Sequence, residues 1–287
     1  MKVRIFILLL AGFAAAAQAA TTINAVNRSS YGANVGWADW RGDTTSGAVI
    51  GEYVCSGYIY AANVGWIHLG NGMAANGIQY QNTSATDYGV NHDGLGNLRG
   101  YAYGANIGWV NFETKGAPKV DLATGRLSGY FYSANCGWIS LSNAFAHVQT
   151  DTIASGADTD SDGIADAWEL SRTNTLTAFT AFSDADGDDA SDKNEYFADT
   201  DPKDAADRLV ITDYLSTSGG TQATLTWKSK TTRFYYLQKN SDLNTSFWFD
   251  SGLGLVTPDG ASTTRIVNDT NAPMRYYRVR AVKPLSP

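Results

Sequence analysis

The chain has 287 residues, a net charge of −7 and two cysteines. This length is long for one domain, and the acidic balance without a basic, aromatic-rich patch argues against nucleic-acid binding. After residue 19 no segment is long and apolar enough to cross a membrane, so we expect no transmembrane segment once the signal peptide described below is removed.

Residues 1–19 are typical of a secretory signal peptide. Lys2 and Arg4 form the charged start, residues 5–16 form the apolar run, and residues 17–19 (Ala-Gln-Ala) match a cleavage site. The apolar run is well short of the roughly 20 residues that a membrane span requires. We therefore expect an exported protein that is secreted or held at the cell surface.

Residues 20–150 contain one phrase four times, with the consensus Gly-Tyr-x-Tyr-x-Ala-Asn-x-Gly-Trp. Alternation in Tyr-x-Tyr predicts a strand, and Asn-x-Gly predicts a turn, so each copy predicts a β-hairpin. The repeated tryptophans are 29, 43 and 29 residues apart, as in a pair of units duplicated as a pair. Repetition predicts an antiparallel β domain in which neighbouring hairpins cover one another. A barrel, a sandwich and a short solenoid remain open.

The aromatic residues of the repeats allow two interpretations. Tyr60, Trp66, Tyr103 and Tyr132 could face solvent and stack on sugar rings, which would make the protein a carbohydrate-binding one. Alternatively, these rings fill the core. We favour the core, because rings at matching repeat positions are what neighbouring hairpins usually bury.

Two cysteines, Cys55 and Cys136, lie in corresponding units of the two pairs. In an exported protein they could form a disulfide. The alternative is two small buried thiols, since Leu and Val occupy the matching positions elsewhere in the repeats.

Residues 151–207 hold 16 acidic and three basic residues, and within them two loops share one ligand register. A calcium-binding loop presents oxygens at positions 1, 3, 5, 7, 9 and 12. The first loop supplies Asp158, Asp160, Asp162, the carbonyl of Ile164, Asp166 and Glu169, and the second supplies Asp184, Asp186, Asp188, the carbonyl of Ala190, Asp192 and Glu195. A solvated acidic linker would not require this repeated register. We predict two EF-hand-like calcium (Ca²⁺) sites.

The two loops differ at position 6, where the first has Gly163 and the second Asp189. A residue with a side chain is strained at positive φ, so we expect the second site to be the weaker one. These loops, each followed by a short helix, resemble thrombospondin type 3 calcium repeats and, more loosely, dockerins. The first resemblance implies a further ligand at Asp201, within Thr200-Asp201-Pro202.

Residues 208–287 alternate between apolar and polar positions in five short runs separated by turn residues. The runs are residues 209–212, 223–227, 234–238, 264–267 and 276–280. This spacing predicts a small β-sandwich and resembles the C-terminal fibronectin-like modules of secreted bacterial proteins. Trp227 and Trp248 are expected in its core.

Taken together, the repeats, paired loops and strand-rich tail resemble a family of secreted repeat proteins of environmental bacteria. The resemblance implies a mainly β fold and an extracellular location. We expect a calcium-binding structural or adhesive protein, with polysaccharide or other cell-surface proteins as partners. Carbohydrate binding through the repeat aromatics and docking through the calcium segment are the alternatives. Enzyme activity is not expected, because His68, His92 and His147 stand in no catalytic or metal-ligand spacing.

Overall fold

The computed structural model describes residues 21–42, 44–217, 221–268 and 275–286. The predicted signal peptide lies outside the described residues. The fold is mainly β with antiparallel sheets and two short helices, which confirms the predicted fold class. Among the described residues, no helix has the length and hydropathy of a membrane span.

Twelve strands form the repeat domain. They are β1 (Ile23–Gly32), β2 (Gly36–Asp39), β3 (Ser56–Ala61), β4 (Gly65–Asn71), β5 (Val90–His92), β6 (Leu98–Gly104), β7 (Gly108–Asn111), β8 (Lys119–Val120), β9 (Leu127–Ser128), β10 (Tyr130–Ser133), β11 (Gly137–Ser140) and β12 (Val148–Thr150). A 3-10 helix at Thr114–Gly116 precedes β8.

The four repeats form four hairpins: hairpin 1 is β1–β2, hairpin 2 is β3–β4, hairpin 3 is β6–β7 and hairpin 4 is β10–β11. Each hairpin pairs with the next, and β11 pairs back with β1, so eight strands close into a barrel-like sheet. Of the three arrangements left open by the sequence, the structure therefore has the barrel. Further short strands precede two of the hairpins, since β5 pairs with β6 and β8 pairs with β9.

The repeat phrase is explained by the geometry of its turns. In each turn the amide of the residue before the last glycine donates to the carbonyl three residues earlier, at 3.1–3.3 Å. The glycine that follows has a φ between +69° and +81°, as in a three-residue hairpin loop with a bulge. Only glycine adopts this φ without strain, which accounts for its presence in all four copies.

The asparagine of each repeat links its hairpin to a neighbour. Its side-chain amide donates to the carbonyl at the turn of the adjacent hairpin, at 3.1–3.2 Å. The four bonds run from Asn34 to Cys136, from Asn63 to Val35, from Asn106 to Val64 and from Asn135 to Ile107. The bonds form a closed ring around one end of the barrel, so each turn is fixed by the next.

The barrel interior is filled by aliphatic and aromatic residues at alternate strand positions. Trp40, just after β2, is fully buried and contacts Phe112 and Phe131 with ring centroids 6.3 and 6.0 Å away. Its indole Nε1 donates to Ser30 Oγ at 3.0 Å. The inward residues of hairpin 1 are small, Ser30 and Ala38, and leave the volume that this indole occupies.

The two cysteines are free, buried thiols in this structure, which is the second of the two alternatives, and the possible disulfide is not present. Cys136 lies in the turn of hairpin 4, whereas Cys55 precedes β3 at its end distant from the turn. Because all four turns lie at one end of the barrel, the six residues of β3 separate these positions by about 20 Å along the strand. Both side chains are buried, and burial raises the pKa of the Cys55 thiol to about 12.

The described residues after β12 form two helices and a small sandwich. The helices are α1 (Asp166–Arg172) and α2 (Asp192–Ala198). The strands are β13 (Ile211–Ser216), β14 (Gln222–Lys228), β15 (Phe234–Asn240), β16 (Phe249–Val256), β17 (Ser262–Asn268) and β18 (Tyr276–Val282). They form two three-stranded antiparallel sheets with the orders β13-β14-β17 and β16-β15-β18.

One strand and one tryptophan of the sandwich differ from expectation. The strand β16 was not predicted, because Gly252 and Gly254 interrupt its pattern as turn residues do. Trp227 is fully buried in the core, as expected. Trp248 is only half-buried, so its assignment to the core is wrong; the guanidinium carbon of Arg278 lies 4.5 Å from its ring centroid.

The ring of asparagine bonds predicts a measurable contribution to stability. We expect Asn106→Ala to lower the free energy of unfolding of the barrel by about 1 kcal/mol, because it removes the bond to the Val64 carbonyl. Denaturant unfolding followed by fluorescence measures the difference. Ala105→Ser, at an exposed position of the same turn, is the control and should leave the free energy unchanged. Equal stability of the two variants would contradict the role of the ring.

Candidate functional site

The first acidic loop brings its alternate aspartates together. Carboxylate oxygens of Asp158, Asp160 and Asp162 lie within 4.8 Å of one another. The amide of Gly163 donates to Asp158 Oδ2 at 3.0 Å, and the amide of Ile164 donates to Asp162 Oδ1 at 2.8 Å. These bonds fold the loop back, so the three carboxylates face one small volume.

The second loop repeats this geometry. Asp184, Asp186 and Asp188 also place carboxylate oxygens within 4.8 Å of one another. The amide of Asp189 donates to Asp184 Oδ2 at 3.0 Å, and the amide of Ala190 donates to Asp188 Oδ1 at 2.7 Å. The same donors and acceptors therefore occupy the same positions of the two loops.

Position 12 of each loop is a buried glutamate in the first turn of a helix. Glu169 and Glu195 are both 0% exposed. Both carboxylate oxygens of Glu169 and Oε2 of Glu195 have no hydrogen-bond partner, while Oε1 of Glu195 accepts from Thr200 Oγ1 at 3.1 Å. A buried charge without a partner is strongly destabilising, so these oxygens require a proton or a cation.

The electrostatics of the two glutamates support that conclusion. Burial is the largest cause that raises the pKa of Glu169 to about 8, and the nearby charges of Asp160 and Asp162 add to it. Burial likewise raises the pKa of Glu195 to about 8, with Asp186 and Asp188 contributing in the same direction. The two helices thus hold carboxylates that face further carboxylates.

The aspartates at position 9 have a different role in the geometry. Asp166 accepts from the amide and the hydroxyl of Thr159 at 2.7 and 2.5 Å. Asp192 accepts from Ser183 Oγ at 2.5 Å and from the amide of Ala185 at 3.0 Å. Both carboxylates tie the helix start to the loop start, which agrees with a position that often binds calcium through water.

Positive φ angles occur at positions 4 and 6 of both loops. Loop one has Ser161 at +62° and Gly163 at +89°, and loop two has Gly187 at +78° and Asp189 at +72°. Each loop therefore has one glycine and one strained residue, at exchanged positions. Strain is not confined to loop two, so the argument from Asp189 for a weaker second site does not hold.

One cationic side chain from later in the chain contacts the backbone of each loop. Lys193 Nζ donates to the carbonyl of Asp162 at 2.9 Å, and Arg208 Nη1 donates to the carbonyl of Asp188 at 2.5 Å. Asp201, which the thrombospondin resemblance implied as a ligand, is exposed and accepts from the amide of Lys203 in a local turn. The structure does not bring it into either acidic cluster.

The two helices share a small core that borders the barrel domain. Trp168 contacts Phe179 and Tyr196 with ring centroids 5.5 Å apart in both pairs. Ile164 and Ala165 complete this core, and Tyr53 of the barrel domain packs against it. Folding of the two loops is therefore coupled through one cluster of side chains.

All three parts of the chain meet at the carboxylate of Glu52. It accepts from Tyr196 of α2 at 3.0 Å and forms ion pairs with Arg233 at 3.3 Å and Lys283 at 3.2 Å. Arg233 also donates to the carbonyl of Tyr196 at 3.0 Å. Since Tyr196 follows Glu195 directly, the second acidic loop lies one residue from this junction. Sequence patterning offered no signal for this junction, because its members are isolated charges in three segments.

The repeat aromatics form a belt outside the barrel, and this overturns the expectation of core packing. We define the belt as the four Tyr–Trp pairs Tyr31–Trp37, Tyr60–Trp66, Tyr103–Trp109 and Tyr132–Trp138. In each pair the residues are cross-strand partners with ring centroids 4.8–5.1 Å apart. The tyrosines are 37–40% exposed and the tryptophans 44–50% exposed. The residues that alternate with them along the strands, such as Ile59 and Ile67, fill the core instead.

Comparison with known proteins adds no family assignment. No protein-family model matches this chain, and neither a curated protein nor a solved structure shows significant similarity to it. The resemblances to thrombospondin type 3 repeats, dockerins and fibronectin-like modules therefore stay predictions.

Each loop has one residue other than glycine at positive φ, so replacing that residue with glycine should stabilise the two loops to a similar extent. Ser161→Gly and Asp189→Gly should each stabilise the middle segment by about 1 kcal/mol, because each relieves one residue at positive φ. Thermal unfolding, measured in excess calcium and in chelator, compares both variants with the parent chain. Gly163→Ala is the opposite control, because its added Cβ would lie 2.2 Å from Lys193 Nζ as well as being strained. If only Asp189→Gly is stabilising, strain is confined to the second loop, as the sequence predicted.

Proposed function

We propose that this chain is a secreted calcium-binding protein with a structural or adhesive role at the cell surface or in the extracellular matrix. One observation carries the calcium assignment: Glu169 and Glu195 are buried, lack partners for three of their four carboxylate oxygens, and face triads of aspartates. The predicted signal peptide supports an extracellular location, where calcium is abundant.

The chemistry of the donors favours calcium over other cations. The ligands of both loops are carboxylate and carbonyl oxygens, with no cysteine or histidine among them, and zinc prefers nitrogen and sulfur. A glutamate at position 12 that can bind through both oxygens fits the six to eight oxygens that calcium takes. Magnesium demands six ligands in a strict octahedron and retains water, which suits this donor set less well.

A bound cation would change the stability of the middle segment more than that of the barrel. Without it, each loop holds aspartates and a glutamate close together, and their repulsion disfavours the compact state. The barrel has its own large core, which includes no residue of the two loops. The proposed role of calcium is therefore to order the segment that joins the barrel to the sandwich.

Calcium should raise the melting temperature and protease resistance of the middle segment while leaving the barrel transition unchanged. Both thermal unfolding and limited proteolysis, in excess calcium and in chelator, measure this effect. Glu169→Gln should weaken binding at loop one by at least about tenfold, because it removes one charged ligand. Asp213→Asn, at an exposed carboxylate on β13, is the matched control.

Identical melting and cleavage in calcium and in chelator would contradict the calcium assignment. So would a Glu169→Gln variant that binds calcium as tightly as the parent chain does. A barrel transition that shifts with calcium would show instead that the loops stabilise the whole molecule.

A second candidate function, carbohydrate binding, is favoured by the exposure of the belt. Four Tyr–Trp pairs expose apolar ring surface at the same register of every hairpin. Exposed apolar patches on soluble proteins usually mark interaction sites. A sugar ring offers an apolar C–H face for stacking and hydroxyl groups for the tyrosine hydroxyls and indole N–H groups, so it matches such a surface.

The carbohydrate-binding candidate predicts that the protein sediments with at least one neutral insoluble polysaccharide in the presence of calcium. Because the belt tryptophans are half exposed, binding of the corresponding soluble oligosaccharide should shift tryptophan fluorescence. Bovine serum albumin in the same assay controls for adsorption. Failure to bind across cellulose, chitin, β-glucan, xylan and mannan would remove this candidate.

A further inference from the structure

The seam between hairpins 2 and 3, where β4 pairs with β6, carries an extra aromatic ring from a loop. The connection between β4 and β6 runs from residue 72 to residue 97 and places Tyr88 over this seam. The ring of Tyr88 lies 5.6 Å from His68 on hairpin 2, and 6.3 Å from Tyr103 and 5.0 Å from Trp109 on hairpin 3. One loop residue therefore joins the aromatic faces of two hairpins.

The joined rings form one unbroken row of ring contacts, mostly edge to face, which we call the platform. It consists of Trp66, Tyr58, His68, Tyr88, Trp109 and Tyr103, in spatial order. Neighbouring centroids along this order are 4.7–6.0 Å apart. Among the described residues, the outer ring contacts of hairpins 1 and 4 stay within each hairpin.

Tyr88 extends the aromatic surface without covering it. Trp109 is 46% exposed although Tyr88 packs against it, compared with 50% for Trp37 and 48% for Trp138, which have no such neighbour. Tyr103 is 39% exposed, within the range of the equivalent tyrosines. The bridge therefore leaves the pair on hairpin 3 as accessible as the other pairs.

A hydrogen bond fixes the bridging ring. The Tyr88 hydroxyl and His68 Nδ1 are 2.7 Å apart. Burial lowers the pKa of His68, which favours its neutral form. A tyrosine held by hydrogen bonding and by rings on both sides loses little conformational freedom when a ligand stacks on it.

The charge of the platform defines the chemistry of its ligand. The hairpin of residues 56–71 contains no Asp, Glu, Lys or Arg, and residues 98–111 contain only Arg99. A nucleic acid or an acidic polysaccharide would find few cations here, whereas bases stacked in a nucleic-acid site are accompanied by basic residues. The surface is also longer than one sugar ring, so it suits an oligosaccharide.

We propose that the platform is the primary subsite for a neutral pyranose oligosaccharide and that Tyr88 positions the ligand across the two hairpins. This inference rests on the carbohydrate-binding candidate described above. The pairs on hairpins 1 and 4 then make weaker, secondary contacts with a longer chain.

Titration with cellohexaose, chitohexaose, laminarihexaose, xylohexaose and mannohexaose in calcium, followed by calorimetry, tests the proposal. Tyr88→Ala should weaken binding of the recognised hexasaccharide by about tenfold, because it removes one stacking ring and separates the two faces. Tyr88→Phe keeps the ring and loses the bond to His68, so its loss should be smaller. Trp138→Ala, which removes the hairpin 4 ring equivalent to Trp109, is the control outside the platform and should bind within about twofold.

The possible outcomes separate the two proposals. If no hexasaccharide and no polysaccharide binds the parent chain, carbohydrate binding fails and the platform proposal fails with it. If a ligand binds but Tyr88→Ala has no effect, or Trp138→Ala weakens binding equally, the protein binds carbohydrate and the platform is not the primary subsite. Unchanged thermal unfolding of Tyr88→Ala and of Tyr88→Phe verifies that reduced binding does not reflect loss of fold.

Discussion

The middle segment of this molecule depends on the neutralisation of two buried glutamates that face other carboxylates. Glu169 and Glu195 are fully buried and three of their four carboxylate oxygens have no hydrogen-bond partner, so a proton or a cation has to satisfy these oxygens. The effect reaches beyond the loops, because Glu195 is followed by Tyr196, which contacts Glu52 at the junction of all three parts of the chain. A cation in loop two would thereby stabilise the junction between barrel and sandwich.

The chain uses duplication twice, and in both cases backbone geometry explains the repeated residues. Each hairpin requires a glycine at positive φ and an asparagine that reaches the next turn. Each acidic loop requires two residues at positive φ, and the two loops place their glycines at different positions, Gly163 in one and Gly187 in the other. The two acidic loops thus keep the same positive φ angles, although glycine occupies a different one of these positions in each loop.

The sequence predicted what depends on local patterns. Strand alternation and turn glycines predicted the hairpins and most strands of the sandwich. The spacing of acidic residues predicted the paired acidic clusters. It failed where the outcome depends on which face of a strand is enclosed. Rings such as Trp66 and Tyr132 were expected inside, but they occupy the outward positions of their strands, and the residues that alternate with them, such as Ile59 and Phe131, face the interior. Long-range features, including the Glu52 junction and the bridge made by Tyr88, have no local pattern to predict them.

Terbium luminescence tests the central claim most directly, because terbium replaces calcium at oxygen sites and emits when a nearby indole is excited. Trp168 lies beside Glu169 in the core between the loops and is the natural donor. We predict sensitised emission that saturates at two terbium ions per chain, is displaced by calcium, and is lost in Trp168→Phe. Absence of sensitised emission, or emission that persists when both Glu169→Gln and Glu195→Gln are introduced, would contradict the account.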